Sequence, residues 1–120
     1  MKKKGPGLSI VTANLKGDRP TVREAIAHME SELRAARRRG ARLVRLIHGY
    51  GSSGTGGQIR MRSRARLEQM LADGSIRAFH CGEDLDEFSV SSQELLTRHP
   101  GLRSTLKTDF LNKGLTFVEL

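Results

Sequence analysis

The stretch RLIHGYGSSGTGGQIRMRSR, residues 45–64, joins the end of an apolar segment to a glycine-rich loop and then to a series of arginines. The apolar segment, RLVRLI at residues 42–47, predicts a strand. Apolar residues at helical spacing from about Gln58 predict an amphipathic helix that stops at Gly74. The stretch therefore predicts a strand, a loop and a helix in succession, with glycine and positive charge concentrated where the loop enters the helix.

The segments on either side complete an alternating pattern of strands and helices. LSIVTANL at residues 8–15, IRAFH at 76–80 and LTFVEL at 115–120 predict three further strands. Thr21 followed by Glu24 forms a capping box, which starts a helix whose apolar spacing continues up to Gly40. The order predicts an α/β domain with a parallel or mixed sheet and helices packed against it.

Two segments fall outside this pattern. MKKKGPG, residues 1–7, predicts a mobile basic arm, because nothing apolar anchors it. Residues 81–113 are polar and predict an irregular insertion, with a short helix at about 92–98. We therefore expect a single domain over residues 8–120 that contains this insertion.

Composition limits the class of partner. A chain of 120 residues is long enough for one hydrophobic core and too short for two. The chain has 21 Lys and Arg residues against 13 Asp and Glu residues, which gives a net charge of +8. This charge favours a polyanionic partner, with nucleic acid a stronger candidate than an anionic membrane surface. No apolar run approaches the roughly 20 residues of a membrane span, so we expect a soluble, cytoplasmic protein without a membrane partner. Cys81 is the only cysteine, which excludes an internal disulfide and a cysteine-rich zinc site.

The glycine loop suggests an anion site rather than a nucleotide cofactor site. Residues 49–54 fit G-x-G-x-x-G, but the next strand ends near His80 with its following acid, Glu83, beyond the expected distance, and the chain is too small for a two-half dinucleotide fold. A Walker A loop needs Lys after its last glycine, and Thr55 stands there. Free N–H groups at Gly56 and Gly57, where the helix begins, would suit a phosphate. The alternative is that the glycines form only a long flexible turn.

The order of the motifs resembles the Smr (small MutS-related) domain family. IHGYG at 47–51 followed by GQIR at 57–60 is similar to the family's apolar strand ending in His-Gly-x-Gly and its Gly-x-Leu-Arg helix start. ANLKG at 13–17, followed by Glu24-Ala25, resembles the opening Leu-Asp-x-His-Gly motif and the Glu-Ala pair of the next helix. Alternate residues of 114–120 resemble the family's closing strand.

The resemblance implies a fold and two related functions. The implied fold is a β-α-β-α-β-β two-layer sandwich with a mixed four-stranded sheet, like the C-terminal domain of translation initiation factor three. Smr domains bind DNA or RNA, and several cut phosphodiester backbones using an Asp and a His of the first motif and the His of the second. Here Asn14 and Lys16 occupy the first two positions, and only His48 remains. Asn14 cannot exchange a proton and Lys16 is a cation, so the resemblance implies binding more strongly than cleavage.

The predicted contact surface consists of the glycine loop and nearby cations. Arg60 and Arg64 share one side of the helix and Arg62 and Arg66 the other, so one pair suffices for contact. The candidates for nucleic-acid binding are Lys16, His48, Gly49, Tyr50, Gly51, Gly56, Gly57, Arg60 and Arg64, with His48 catalytic only in an active enzyme.

Two alternative functions remain open. One is an active DNA-nicking endonuclease or ribonuclease, which could use a divalent metal, whereas the binding function needs no cofactor. The other is a module that docks on a ribosome or an acidic protein. The acidic residues after the third strand, Glu83 and Asp84 among them, predict a solvated loop, or replacement carboxylates in an active nuclease. His28, His80 and His99 lack metal-ligand spacing, so packed or solvated side chains are expected.

Overall fold

Four strands alternate with helices in this computed structural model, which describes residues 10–51 and 55–120. The predicted basic arm and residues 52–54 of the glycine loop lie outside these ranges. Two helices lie between the last two strands, each preceded by a 3-10 turn. In chain order the elements are β1 (Ile10–Asn14), α1 (Val22–Arg38), β2 (Leu43–Ile47), α2 (Thr55–Ala72), β3 (Ala78–Cys81), α3 (Val90–Arg98), α4 (Arg103–Lys107) and β4 (Leu115–Glu119).

The strands form one mixed sheet in the order β1-β2-β4-β3. β1 and β2 are parallel and are connected through α1, whereas β4 is antiparallel to both of its neighbours, β2 and β3. Consequently β1, β2 and β3 all end at the same edge of the sheet, which we call the carboxyl edge. The prediction of an α/β domain with a mixed four-stranded sheet is confirmed.

The helix boundaries follow from local signals. The Thr21 side chain accepts a hydrogen bond from the Glu24 N–H at 3.0 Å, and the Glu24 side chain accepts from the Thr21 N–H at 2.9 Å. The predicted capping box is therefore confirmed. Gly40, with φ +80°, follows the end of α1, and Gly74, with φ +82°, follows the end of α2. Both glycines adopt the left-handed conformation that commonly ends a helix.

Apolar side chains cover both faces of the sheet. α1 and α2 pack on one face, where residues such as Met29 and Leu67 share one hydrophobic core with Val44 and Val118, and these two layers form the predicted sandwich. The segment between β3 and β4 covers the other face with four buried leucines, Leu85, Leu95, Leu102 and Leu106. All five residues of β4 are buried because this strand is central and covered on both faces. No helix within the described ranges is long and apolar enough to cross a membrane.

Candidate nucleic-acid interface

Three segments meet at the carboxyl edge of the sheet. The chain leaving β1 stays beside β2, since the Leu15 N–H donates to the Ile47 carbonyl at 2.8 Å. The N–H groups of His48 and Gly49 both donate to the Gly114 carbonyl, at 3.0 and 3.1 Å. The loop after β1, the glycine loop after β2 and the turn before β4 are therefore fixed to one another through the backbone.

The glycine loop depends on glycine for both conformation and space. Gly49 has φ +74° and Gly51 has φ +102°, values that other residues adopt only with strain. A Cβ atom added to Gly49 would lie 3.2 Å from Cδ of Lys16, so the lysine side chain crosses directly over this glycine. A Cβ atom added to Gly57 would lie 3.6 Å from Cα of Gly51, so the first turn of α2 packs on the loop.

α2 begins at Thr55, three residues before the predicted start at Gln58. Gly56 and Gly57 therefore lie inside the first turn rather than ahead of it. Glycine in a helix costs about 1 kcal/mol relative to alanine, which is why sequence favours a later start. A Cβ atom at Gly57 would be in ordinary contact with Gly51, and the first-turn N–H groups have no intrahelical partners to lose.

His48 is fully buried and both of its ring nitrogens are engaged. Nδ1 lies 2.6 Å from the Gly49 carbonyl oxygen, which can only accept, so Nδ1 carries the proton. Nε2 then accepts from the Thr116 hydroxyl at 2.8 Å, and that hydroxyl accepts from Nε of Arg64 at 3.0 Å. Burial, with a smaller effect of Arg64 and Arg60, lowers the pKa of His48 from 6.5 to about 4. His48 is therefore neutral at pH 7. Its hydrogen bonds connect the Gly49 carbonyl of the glycine loop to Thr116 of β4.

Glu83 joins two arginines of α2. Its carboxylate accepts from Nη1 and Nη2 of Arg64 at 2.6 and 2.8 Å and from Nη2 of Arg60 at 2.7 Å. Burial on its own would raise the pKa of Glu83, but the hydrogen bonds from Arg64 and Arg60 outweigh it and lower the pKa to about 2. The expectation of a solvated acidic loop is wrong for Glu83, which is an ion-paired neighbour of the His48 network.

The arginines of α2 divide between two sides of the helix, as their spacing predicts. Arg60 and Arg64 face Glu83 at the carboxyl edge. Arg66 instead donates to Glu30 of α1 at 3.0 Å. Arg62 lines the groove between α1 and α2. Only the first pair lies beside the glycine loop.

The first motif forms a local turn around Lys16. The Asn14 side chain accepts from the Lys16 N–H at 3.0 Å, a hydrogen bond that shapes the chain as it leaves β1. Two residues further on, Asp18 and Arg19 have φ of 63° and 49°, which costs roughly 1–2 kcal/mol each outside glycine. The Lys16 side chain is exposed at the end of this turn.

Lys113 and Thr116 of this edge were absent from the sequence-predicted site, and Glu83 was expected only in a solvated loop or as a replacement carboxylate in an active nuclease. Lys113 carries its Nζ 5.2 Å from the centroid of the Tyr50 ring, and that ring is 53% exposed. Thr116 links His48 to Arg64, and Glu83 balances part of the arginine charge. No pattern near residue 113 signals this contact, because Lys113 reaches Tyr50 only once β4 lies beside β2. Among the described residues, no group of three or more His, Cys, Asp or Glu side chains is arranged to hold a metal ion.

Fold and site together define a small α/β domain with a glycine loop and a cationic carboxyl edge. The Smr domain family model matches residues 14–86, more than half of the chain, from Asn14 through the glycine loop and α2 to the Glu83 region. The chain therefore belongs to the Smr domain family, a nucleic-acid-binding and nuclease-like family. Comparisons with curated proteins and with solved structures found no match.

Proposed function

We propose that this domain binds DNA or RNA through backbone phosphates at its carboxyl edge, with cleavage weak or absent. The observation that carries the proposal is the position of Lys16, which crosses over Gly49 beside the exposed Tyr50 and its neighbour Lys113. Both lysines are exposed. A phosphate that approaches the glycine loop would thus meet a lysine on either side.

The charge of the edge favours a polyanion. Four cations, Lys16, Lys113, Arg60 and Arg64, lie at this edge, and the Glu83 carboxylate neutralises only part of their charge. The N–H groups at the start of α2 add the positive end of the helix dipole. Tyr50 offers one exposed ring for a base to stack on.

The same residues argue for binding rather than cutting. Phosphodiester cleavage needs groups that accept and donate protons, or carboxylates that hold a metal. His48 is buried, neutral and hydrogen-bonded at both nitrogens, and Asn14 cannot exchange a proton. Glu83, with a pKa of about 2, is too weak a base to be efficient near neutral pH. His48 supports the site by holding the loop that carries Gly49 and Tyr50.

The test measures binding and cutting together. Pure protein is incubated with labelled branched DNA, single strands and structured RNA, with and without Mg²⁺. For the wild-type protein we expect saturable binding and cutting near background. The double variant Lys16→Gln with Lys113→Gln should bind more weakly than a charge-matched control, Arg38→Gln with Arg39→Gln at the far end of α1. Asn14→Asp with Lys16→His is the variant in which cutting should rise, because it supplies the missing acid and imidazole.

Two results would contradict the proposal. Wild-type protein that cuts over many turnovers, and loses this activity in Glu83→Gln or Asp84→Asn, would mean that these carboxylates replace the first motif. A pull-down that yields one specific acidic protein or ribosomes, with no affinity for purified nucleic acid, would favour the docking function instead.

A further inference from the structure

A second concentration of arginine lies at the opposite edge of the sheet, where β2 and β3 begin and β4 ends. It surrounds a cavity of about 390 Å³. The charged and titratable side chains that line the cavity are Arg37, Arg42, Arg77, Arg98, His99 and Glu119. The Smr motifs at the carboxyl edge use none of these residues.

The backbone fixes two of these arginines on either side of β4. The Arg77 N–H donates to the Glu119 carbonyl at 2.8 Å, and the Leu120 N–H donates to the Arg42 carbonyl at 3.0 Å. Arg42 and Arg77 are exposed, and each immediately precedes the first residue of a strand that flanks β4, β2 and β3 respectively. Their position follows from strand pairing, so the cavity is part of the folded sheet rather than of a loose loop.

Glu119 is already satisfied within the protein. Its two oxygens accept from Nε and Nη2 of Arg98 at 2.7 and 2.8 Å, and His80 and His99 lie 2.7 and 3.0 Å away. Burial on its own would raise the pKa of Glu119, but these partners outweigh it and hold the pKa well below its usual range. The carboxylate is ionised and its charge is matched by Arg98.

The remaining three arginines have no such partner. Arg37 donates to the Ser75 carbonyl, which carries no net charge. Within residues 10–51 and 55–120, no side-chain carboxylate lies within ion-pair distance of Arg37, Arg42 or Arg77. Three guanidinium groups without an ion-pair partner among the described residues line one concave surface, an arrangement that attracts a multivalent anion.

We propose that this cavity is a second anion site, which binds the dianionic phosphate of a phosphomonoester. The planar guanidinium fork matches the geometry of phosphate oxygens, and three such groups suit a dianion better than a singly charged phosphodiester. The volume is in the range of small-ligand sites, so it holds a phosphate together with part of the group that carries it. The site does not rest on the function proposed for the carboxyl edge.

Calorimetric titration of the full chain at constant ionic strength tests the site. The probes are inorganic phosphate, a nucleoside 5′-monophosphate, and one short single strand with either a 5′-phosphate or a 5′-hydroxyl. The variant is Arg42→Gln with Arg77→Gln. Its charge-matched control is Arg23→Gln with Arg62→Gln, which removes two exposed arginines from the groove between α1 and α2. Urea unfolding of each protein checks that the fold is retained.

We expect the Arg42/Arg77 variant to lose at least ~10-fold in affinity for the phosphomonoester, because it loses charge-assisted hydrogen bonds, while the control stays close to wild type. Binding of phosphate or the monophosphate alone identifies a free phosphorylated ligand. A preference for the 5′-phosphorylated strand that disappears in the Arg42/Arg77 variant identifies the end of a polynucleotide. The proposal is overturned if no phosphate probe saturates the wild-type protein, or if both double variants lose affinity equally.

Discussion

At the scale of single residues, the burial of His48 makes the stability of the fold depend on pH below neutrality. The pKa of His48 is about 4 in the folded chain and 6.5 ordinarily. As the pH falls below about 6.5, the unfolded chain gains a proton that the folded chain does not, so stability is lost down to about pH 4, by an amount on the order of 3 kcal/mol. Urea unfolding between pH 7 and pH 4.5 measures this loss. In His48→Ala the pH dependence should be flatter, and an unchanged slope in that variant would contradict the assignment.

Glu83 provides a second prediction at this scale. Glu83→Gln leaves Arg60 and Arg64 without a counter-ion in a half-buried position, so we expect a loss of about 1–3 kcal/mol in the free energy of unfolding. The lowered pKa of about 2 means that the contribution of Glu83 is complete above about pH 4.5 and disappears as the pH falls towards 2. Asp84→Asn, at the exposed neighbour, is the control in chemical denaturation. Equal stability of the two variants would show that the ion pairs contribute nothing.

At the scale of elements, alanine substitutions at two glycines distinguish the effect of backbone strain on stability from the effect of a displaced side chain on binding. Gly49 and Gly40 have nearly the same φ, +74° and +80°, but a Cβ at Gly49 would meet Lys16, whereas a Cβ at Gly40 would meet nothing within 4 Å. Alanine at either position should therefore cost about 1–2 kcal/mol in stability. Only Gly49→Ala should also weaken nucleic-acid binding, because it displaces Lys16. Thermal unfolding and a binding titration on both variants check this, and equal affinities would remove Lys16 and Gly49 from the interface.

Elements were also where sequence patterns were most informative. The capping box at Thr21, the helix-ending glycines and the strand at residues 115–120 each act through a few neighbouring residues, so local sequence determines them. The predicted start of α2 was too late, because the glycines of its first turn lower the helix propensity and the packing of that turn beside Gly51 is not a local feature. Sequence spacing does not report such a contact.

At the scale of the whole molecule, positive charge collects at two opposite edges of the sheet. If three cations of the carboxyl edge neutralise phosphates, the slope of log K against log salt should be about −2.7, and three to five contacts would give roughly −2 to −4.5. Binding measured between 50 and 200 mM salt checks this. The double variant Lys16→Gln with Lys113→Gln should lose about two phosphate contacts, which makes the slope correspondingly shallower. The slope of Arg38→Gln with Arg39→Gln should not change. A slope near zero in the wild-type protein would contradict phosphate contact.

The sequence by itself determined the α/β class, the family motifs and the glycine loop with its flanking cations, because each is encoded by spacing within a short segment. Only the tertiary structure decided what these residues do together. Arg64 and Glu83 are 19 positions apart, and His48 and Thr116 are 68 apart, yet both pairs are hydrogen-bonded. The arginine cavity likewise depends on β4 lying between β2 and β3. Sheet order is set by burying apolar residues on both faces of β4, a property of the whole chain rather than of any one stretch.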